Sequence, residues 1–190
     1  MHDIQFMIMK RELTPSQHKL FQAVTKAAFL NPFSEERRTL NREIAGVLHS
    51  SEEGESLLNL VITRVSTELS VLDKEKMCVF KDFAEKDHTI LKYTFLFATY
   101  HKYLSAFDEL IKKQLNESSS LEVYFADTIT NDLKKRGFTR EESAFFIGMF
   151  FQIRRAFYFI NEQLVGCSNA MKELRCALWN NVFTNDIYNY

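Results

Sequence analysis

Glycine and proline are scarce in this chain, five and two among 190 residues. Average usage is about 7% and 5%, so few of the turn residues that hairpins and sandwiches require are present, and an all-β architecture is excluded. Cysteine is scarce too. Cys78, Cys167 and Cys176 are odd in number and at no metal-ligand spacing, which points to free thiols in a reducing cytosol. Charge of one sign is also missing: 24 Lys and Arg face 25 Asp and Glu, a net charge of -1. That balance does not advertise the positive surface on which nucleic-acid binding depends.

Several chemistries lack their motifs. No pair of the glycines Gly46, Gly54, Gly137, Gly148 and Gly166 has the spacing and following Lys of a phosphate-binding loop. The histidines His2, His18, His49, His88 and His101 stand singly, so no zinc or di-iron site is expected. For His101, beside Tyr100, the expectation is a hydrogen-bonded or exposed ring. No Ser or Cys sits in a recognisable local pattern with a base. The expectation is a chain that is not an enzyme and holds neither cofactor nor metal. The apolar stretch Ile4 to Met9 has no basic leader and no small-residue cleavage site, so it does not read as a signal peptide.

What is abundant is phenylalanine, 18 residues in a chain that is 46% hydrophobic. Helix signals order that surplus. Thr14-Pro15-Ser16-Gln17 reads as a capping box with Pro at the first helical position, opening a helix to about Leu30, where Asn31-Pro32 stops it. Ser34, with Glu35 and Glu36 in the first turn, opens a second helix to about His49. A third, Glu53 to Leu72, carries the stripe Leu57, Leu60, Val61, Val65, Leu69 and Leu72. Asp73 is expected to cap a short fourth helix through Phe83, and Asp87 a long, central fifth one to Leu115. Leu121 to Lys135 forms the sixth, closed by Gly137. From Lys10 to Arg42 basic residues outnumber acidic ones, which reads as a solvated face.

Thr139-Arg140-Glu141-Glu142 is a second capping box, and it opens the most apolar segment, Ala144 to Ile160. Its aromatics point to every side of a helix, which predicts full burial. A membrane span is not expected, because Arg154 and Arg155 interrupt the run before it reaches about 18 uncharged residues. These two arginines are expected to pair with acidic neighbours or to bind an anion. The fold class is therefore all-α, a bundle of about seven helices followed by a C-terminal linker helix. A ligand pocket is expected between the fifth and seventh helices, lined by Phe95, Tyr100, His101, Phe150, Arg154 and Phe157. A homodimer interface accounts for the same apolar surplus.

After Gln163 the composition changes. Gly166 breaks the long helix and Ser168 caps a new one, striped by Met171, Leu174, Leu178 and Trp179. Leu164, Val165, Gly166, Ser168, Ala170, Met171, Leu174 and Arg175 match a pattern of an aliphatic pair, Gly, any residue, Ser, Pro, Ala, Met, two residues and Leu-Arg. Asn169 stands where that pattern has Pro. The segment resembles the start of the AAA+ domain in bacterial sigma-54-dependent transcription activators. Trp179 and Asn181-Val182-Phe183-Thr184-Asn185-Asp186 are similar to a subgroup with a Trp and an Ile-Phe-Thr-type stretch before the Walker A strand.

The resemblance covers residues 164–190 alone. It implies a division into a regulatory region, 1–163, and a linker with the start of a truncated AAA+ domain, 164–190. It gives Val165 and Gly166 a place near the nucleotide base. It also implies a cytoplasmic regulator whose full length binds ATP with Mg, sigma-54 RNA polymerase and enhancer DNA through parts downstream. On that basis the helical region senses a signal, a small molecule or a protein partner. The alternatives are a dimerisation or scaffolding module and a small helical enzyme.

Overall fold

The computed structural model describes residues 10–48, 51, 53–74, 76–117 and 121–183. They form helices α1 (Pro15–Phe29), α2 (Glu35–Ala45), α3 (Gly54–Leu72), α4 (Glu85–Lys102), α5 (Leu104–Asn116), α6 (Ala126–Lys135), α7 (Arg140–Gln163) and α8 (Asn169–Val182), with a 3-10 turn at Phe80–Asp82. Among the described residues no strand forms beyond a single bridge between Arg11 and Phe83. The chain is an all-α bundle.

Local chemistry sets most ends. The Thr14 hydroxyl accepts from the Gln17 N–H at 3.2 Å while the Gln17 side chain accepts from the Thr14 N–H at 3.1 Å. Thr139 and Glu142 repeat the exchange at 3.1 and 2.9 Å. Removing an N-cap hydroxyl typically costs about 1 kcal/mol, and Thr139→Ala is expected to lower stability by that amount in urea denaturation, with an unchanged slope. Gly137 follows α6 at a φ of 102°, where a Cβ would also stand 2.8 Å from Val79 Cγ1. Glycine alone fits there.

Helix α4 is the shared element. It packs on α1, α3, α5, α6 and the 3-10 turn, while α7 packs on α5, α6 and α8. Two four-helix layers, α1–α4 and α4–α7, thus meet along α4, and Leu91, Phe95, Leu96 and Phe97 enter the common core.

Several sequence expectations change. The long fifth helix is two helices: the chain bends at Tyr103, whose N–H is shared between the Thr99 and Tyr100 carbonyls and whose hydroxyl donates to Asp132 at 2.8 Å. Its ring lies parallel to Phe125 at 6.4 Å. No Gly or Pro marks the bend; packing against α6 makes it. Nor is Asp87 the cap of α4. Ala84 is, and Asp87 lies buried in the first turn, accepting from the Leu13 N–H at 3.2 Å.

The short fourth helix shrinks to the 3-10 turn. Backbone groups of that segment bond to distant chain instead of to their own neighbours, Phe80 N–H to Arg136 O at 3.2 Å and Arg11 N–H to Asp82 O at 3.1 Å. Helix α6 opens at Ala126 and not Leu121, because Leu121, Val123 and Phe125 are drawn onto the core instead. In α3, Leu60 leaves its stripe for solvent. Helix α2 ends at Ala45, with Gly46 in the left-handed region as its cap; His49 lies outside the described residues.

Finally, α7 is not buried all round. Ser143, Ile147, Phe150 and Ile160 form one buried face at spacings of three, four and ten, with half-buried Arg154 and Phe157 between them. Phe145 on the far side is 52% exposed. Among the described residues no helix is long and apolar enough to cross a membrane.

Candidate functional site

The C-terminal end of α4 meets α2, α5 and α7 around one cluster of polar and aromatic groups. Tyr100 and His101 come from α4, and their rings lie 5.1 Å apart. Phe97, one turn earlier, holds the His101 ring at 4.3 Å. From α7, Phe150 reaches Tyr100 at 5.4 Å, and the Arg154 guanidinium lies over Phe157 at 5.0 Å. Phe157 in turn stacks on Phe33 of the α1–α2 turn at 5.1 Å and an interplanar angle of 8°.

Two arginines serve this cluster in different ways. Arg154 is paired: its Nε donates to Asp108 Oδ1 at 2.6 Å and its Nη2 to Asp108 Oδ2 at 2.7 Å, the two-pronged geometry that suits a carboxylate. Arg37 has no carboxylate partner among the described residues. Its Nε donates to the Asn41 amide oxygen at 3.0 Å and its Nη1 to the Ala27 carbonyl at the end of α1. Its Nη2 makes no hydrogen bond among the described residues. Burial pushes Arg37 down to about 10, against the neighbouring Tyr100.

His101 is the second unusual group. Its Nδ1 is sealed from solvent and has no hydrogen-bond partner among the described residues. Burial, then the charges of Arg37 and Arg154, pushes the imidazole down to about 3. It is therefore neutral at neutral pH and offers one N–H donor and one acceptor. The half-buried ring packs against Phe97 and Tyr100. Burial likewise pushes the Tyr100 hydroxyl up to about 12, opposed by Arg154.

Five of the six pocket residues read from sequence meet here: Tyr100, His101, Phe150, Arg154 and Phe157. Phe95 does not. It points to the other side of α4, where the Arg136 guanidinium covers its ring at 4.7 Å. Sequence reasoning missed Arg37, Phe33 and Asp108. Arg37 sits in the stretch read as a solvated face, and only its place three residues after the Ser34 cap, in the first turn of α2, distinguishes it. Arg155 stays exposed, over Phe159 at 6.0 Å.

The α1–α2 turn joins this cluster to α8. Asn31 Nδ2 donates to the Cys176 carbonyl at 3.0 Å and to Asn180 Oδ1 at 2.8 Å, and the Cys176 thiol donates to Phe33 O at 3.1 Å. Trp179, 5% exposed, meets the edge of Phe33 at 6.0 Å. Upstream, Arg175 Nη2 ties α8 to the Leu164 and Gly166 carbonyls. Val165 is 84% exposed and Gly166 has a φ of 131°.

Among the described residues no three His, Cys, Asp or Glu side chains gather as a metal-binding group. The chain does contain one Glu-x-x-His spacing, Glu85 and His88, but His88 Nε2 is engaged with the Phe83 carbonyl at 2.8 Å. Cys78 is buried, and burial pushes its thiol up to about 11, the wrong direction for a nucleophile. No protein-family model, curated protein or solved structure matches the chain.

Proposed function

We propose that the helical body is the signal-sensing domain of a cytoplasmic sigma-54-dependent activator. In this reading the cluster around Arg37 and His101 receives a small molecule, and α8 passes its occupancy to a downstream ATPase that binds ATP with Mg, sigma-54 RNA polymerase and enhancer DNA. The chain itself acts by binding and not by catalysis. One observation carries the reading: the α1–α2 turn that leads into Arg37 also holds α8, through Asn31 and Phe33. A ligand that displaces Arg37 therefore moves the contacts under Trp179. The segment resembling the activators' AAA+ start includes α8, and that overlap is what supports the reading of α8 as the output.

Trp179 is the only tryptophan in the chain, which makes its emission a direct report on α8. Phe33→Ala is expected to shift that emission to longer wavelength as the indole becomes wetter, and to abolish any ligand-induced change. A metabolite screen read by Trp179 emission and melting temperature tests sensing, since a ligand that binds only the folded state stabilises it increasingly with concentration. If no compound moves either signal, the sensing reading fails. Reading the gene past Tyr190 tests the family assignment: a Walker A motif is expected within about 40 residues.

A second reading draws on exposed apolar surface. Leu174, Leu178 and Val182 repeat every fourth residue along the open side of α8, and Phe145 is exposed on α7. This stripe suits a homodimer contact. A solution mass of one chain at micromolar concentration would dismiss it.

A further inference from the structure

We propose that Arg37 and His101 form a receptor for a small monocarboxylate carried on an apolar body. The inference names the ligand class of the sensing site and rests on that reading.

Charge counting comes first. Among the described residues the cluster holds two guanidiniums, Arg37 and Arg154, and one carboxylate, Asp108, both of whose oxygens accept from Arg154. His101 adds no charge at neutral pH. Asn41 and the Ala27 carbonyl are neutral acceptors, so they satisfy two Arg37 donors without cancelling its charge. One positive charge remains. A monoanion matches it, whereas a dianion such as phosphate would bring an uncompensated charge into a poorly solvated place.

Geometry then selects the anion. The unbonded Nη2 of Arg37 offers donors from a planar group whose shape suits carboxylate oxygens. The His101 Nδ1, buried and unpartnered, is a polar atom whose isolation is costly and which a ligand oxygen would relieve. Around them the surfaces are aromatic: Phe33 stacked on Phe157, Phe97 on His101, and Phe150 by Tyr100. Such walls accept an apolar body and leave the two polar groups to fix its head.

The probes are acetate, butyrate, benzoate and phenylacetate, each beside its neutral amide, and inorganic phosphate. Binding is read by Trp179 emission and melting temperature in the wild type, Arg37→Gln, Arg37→Lys and the exposed control Arg155→Gln. At least one carboxylate is expected to bind saturably, at least tenfold tighter than its amide and than phosphate. Arg37→Gln is expected to weaken it at least tenfold, and Arg155→Gln to leave it unchanged. Should Arg37→Gln fail to fold by circular dichroism, Arg37→Lys decides, since it keeps the charge and loses the planar group; several-fold weaker binding is expected. Wild-type affinity in the Arg37 variants overturns the proposal, as does the lack of a saturable response to any of the four carboxylates. If amides or other neutral compounds move Trp179 while carboxylates do not, sensing stands and the carboxylate assignment falls. If nothing moves it, both fall.

Discussion

Asp73→Ala is expected to destabilise the fold by about 2–4 kcal/mol, because it strands a guanidinium that is largely withdrawn from water. Arg136 Nη1 donates to Asp73 Oδ1 at 2.7 Å and Nη2 to Oδ2 at 2.8 Å, and Nη1 also reaches the Cys78 carbonyl at 3.2 Å. The same carboxylate accepts the Cys78 N–H at 2.7 Å. Both side chains keep only about a fifth to a quarter of their surface exposed, 20% for Arg136 and 24% for Asp73. One carboxylate thus holds the α3 end, the Cys78 segment and the α6 end together.

The double replacement Asp73→Ala with Arg136→Met is expected to cost less than the sum of the single changes, by about 1–3 kcal/mol, since the charge and its partner leave together. Equal sums in urea denaturation would mean that the pair contributes no coupling. The pH dependence has a defined sign. Burial raises the Asp73 carboxyl, but the hydrogen bonds from Arg136 and Cys78 and the charges of Arg136 and Arg11 hold it below its ordinary 3.8. Its contribution is complete above that value and is lost as pH falls through the lower folded-state value.

His101 gives the second large effect, in a different pH window. Its folded-state value is about 3 against an ordinary 6.5. Between those two values the unfolded chain binds a proton that the folded one refuses. Stability is therefore full above about pH 6.5 and falls toward acid at up to about 1.4 kcal/mol per unit. By pH 4.5 the loss attributable to this ring is about 2–3 kcal/mol. The groups facing it are Tyr100 on its own helix, Arg37 from α2 and Arg154 from α7. None of them changes charge in that range. Asp73, Asp132 and Glu142 are held below their ordinary values, 3.8 for the two aspartates and 4.5 for Glu142, so their losses come at lower pH.

His101→Phe is expected to remove this loss between pH 6.5 and 4.5 while keeping the ring packed on Phe97. The measurement is the difference in unfolding free energy between variant and wild type across that range. A difference independent of pH would show that His101 is protonated in the folded chain, contrary to its enclosure. Bound carboxylate would oppose the same acid loss, because an anion beside the ring favours its protonated form.

The helix ends were legible because capping is a conversation across three residues. Thr14 with Gln17, Thr139 with Glu142, Ser34 with Arg37 N–H and Ser168 with Met171 N–H can be read without knowing what lies across the core. The bend at Tyr103 carries no such local sign. It exists because Asp132 and Phe125 of a distant segment take hold of the Tyr103 side chain. Asp73 illustrates the same limit: its side chain suits a cap, yet an arginine 63 residues away claims it.

By itself the sequence determined the all-α class and the places where most helices begin and end. These follow from periodicity and short-range hydrogen bonding. Tertiary structure alone decided that Phe95 faces Arg136, that α7 keeps one open side, and that Asp108 neutralises Arg154 while Arg37, among the described residues, meets only the neutral Asn41 and Ala27 acceptors. Charge compensation depends on distances between segments far apart in the chain. An arginine's partner, or its lack of one, is settled only when the helices pack.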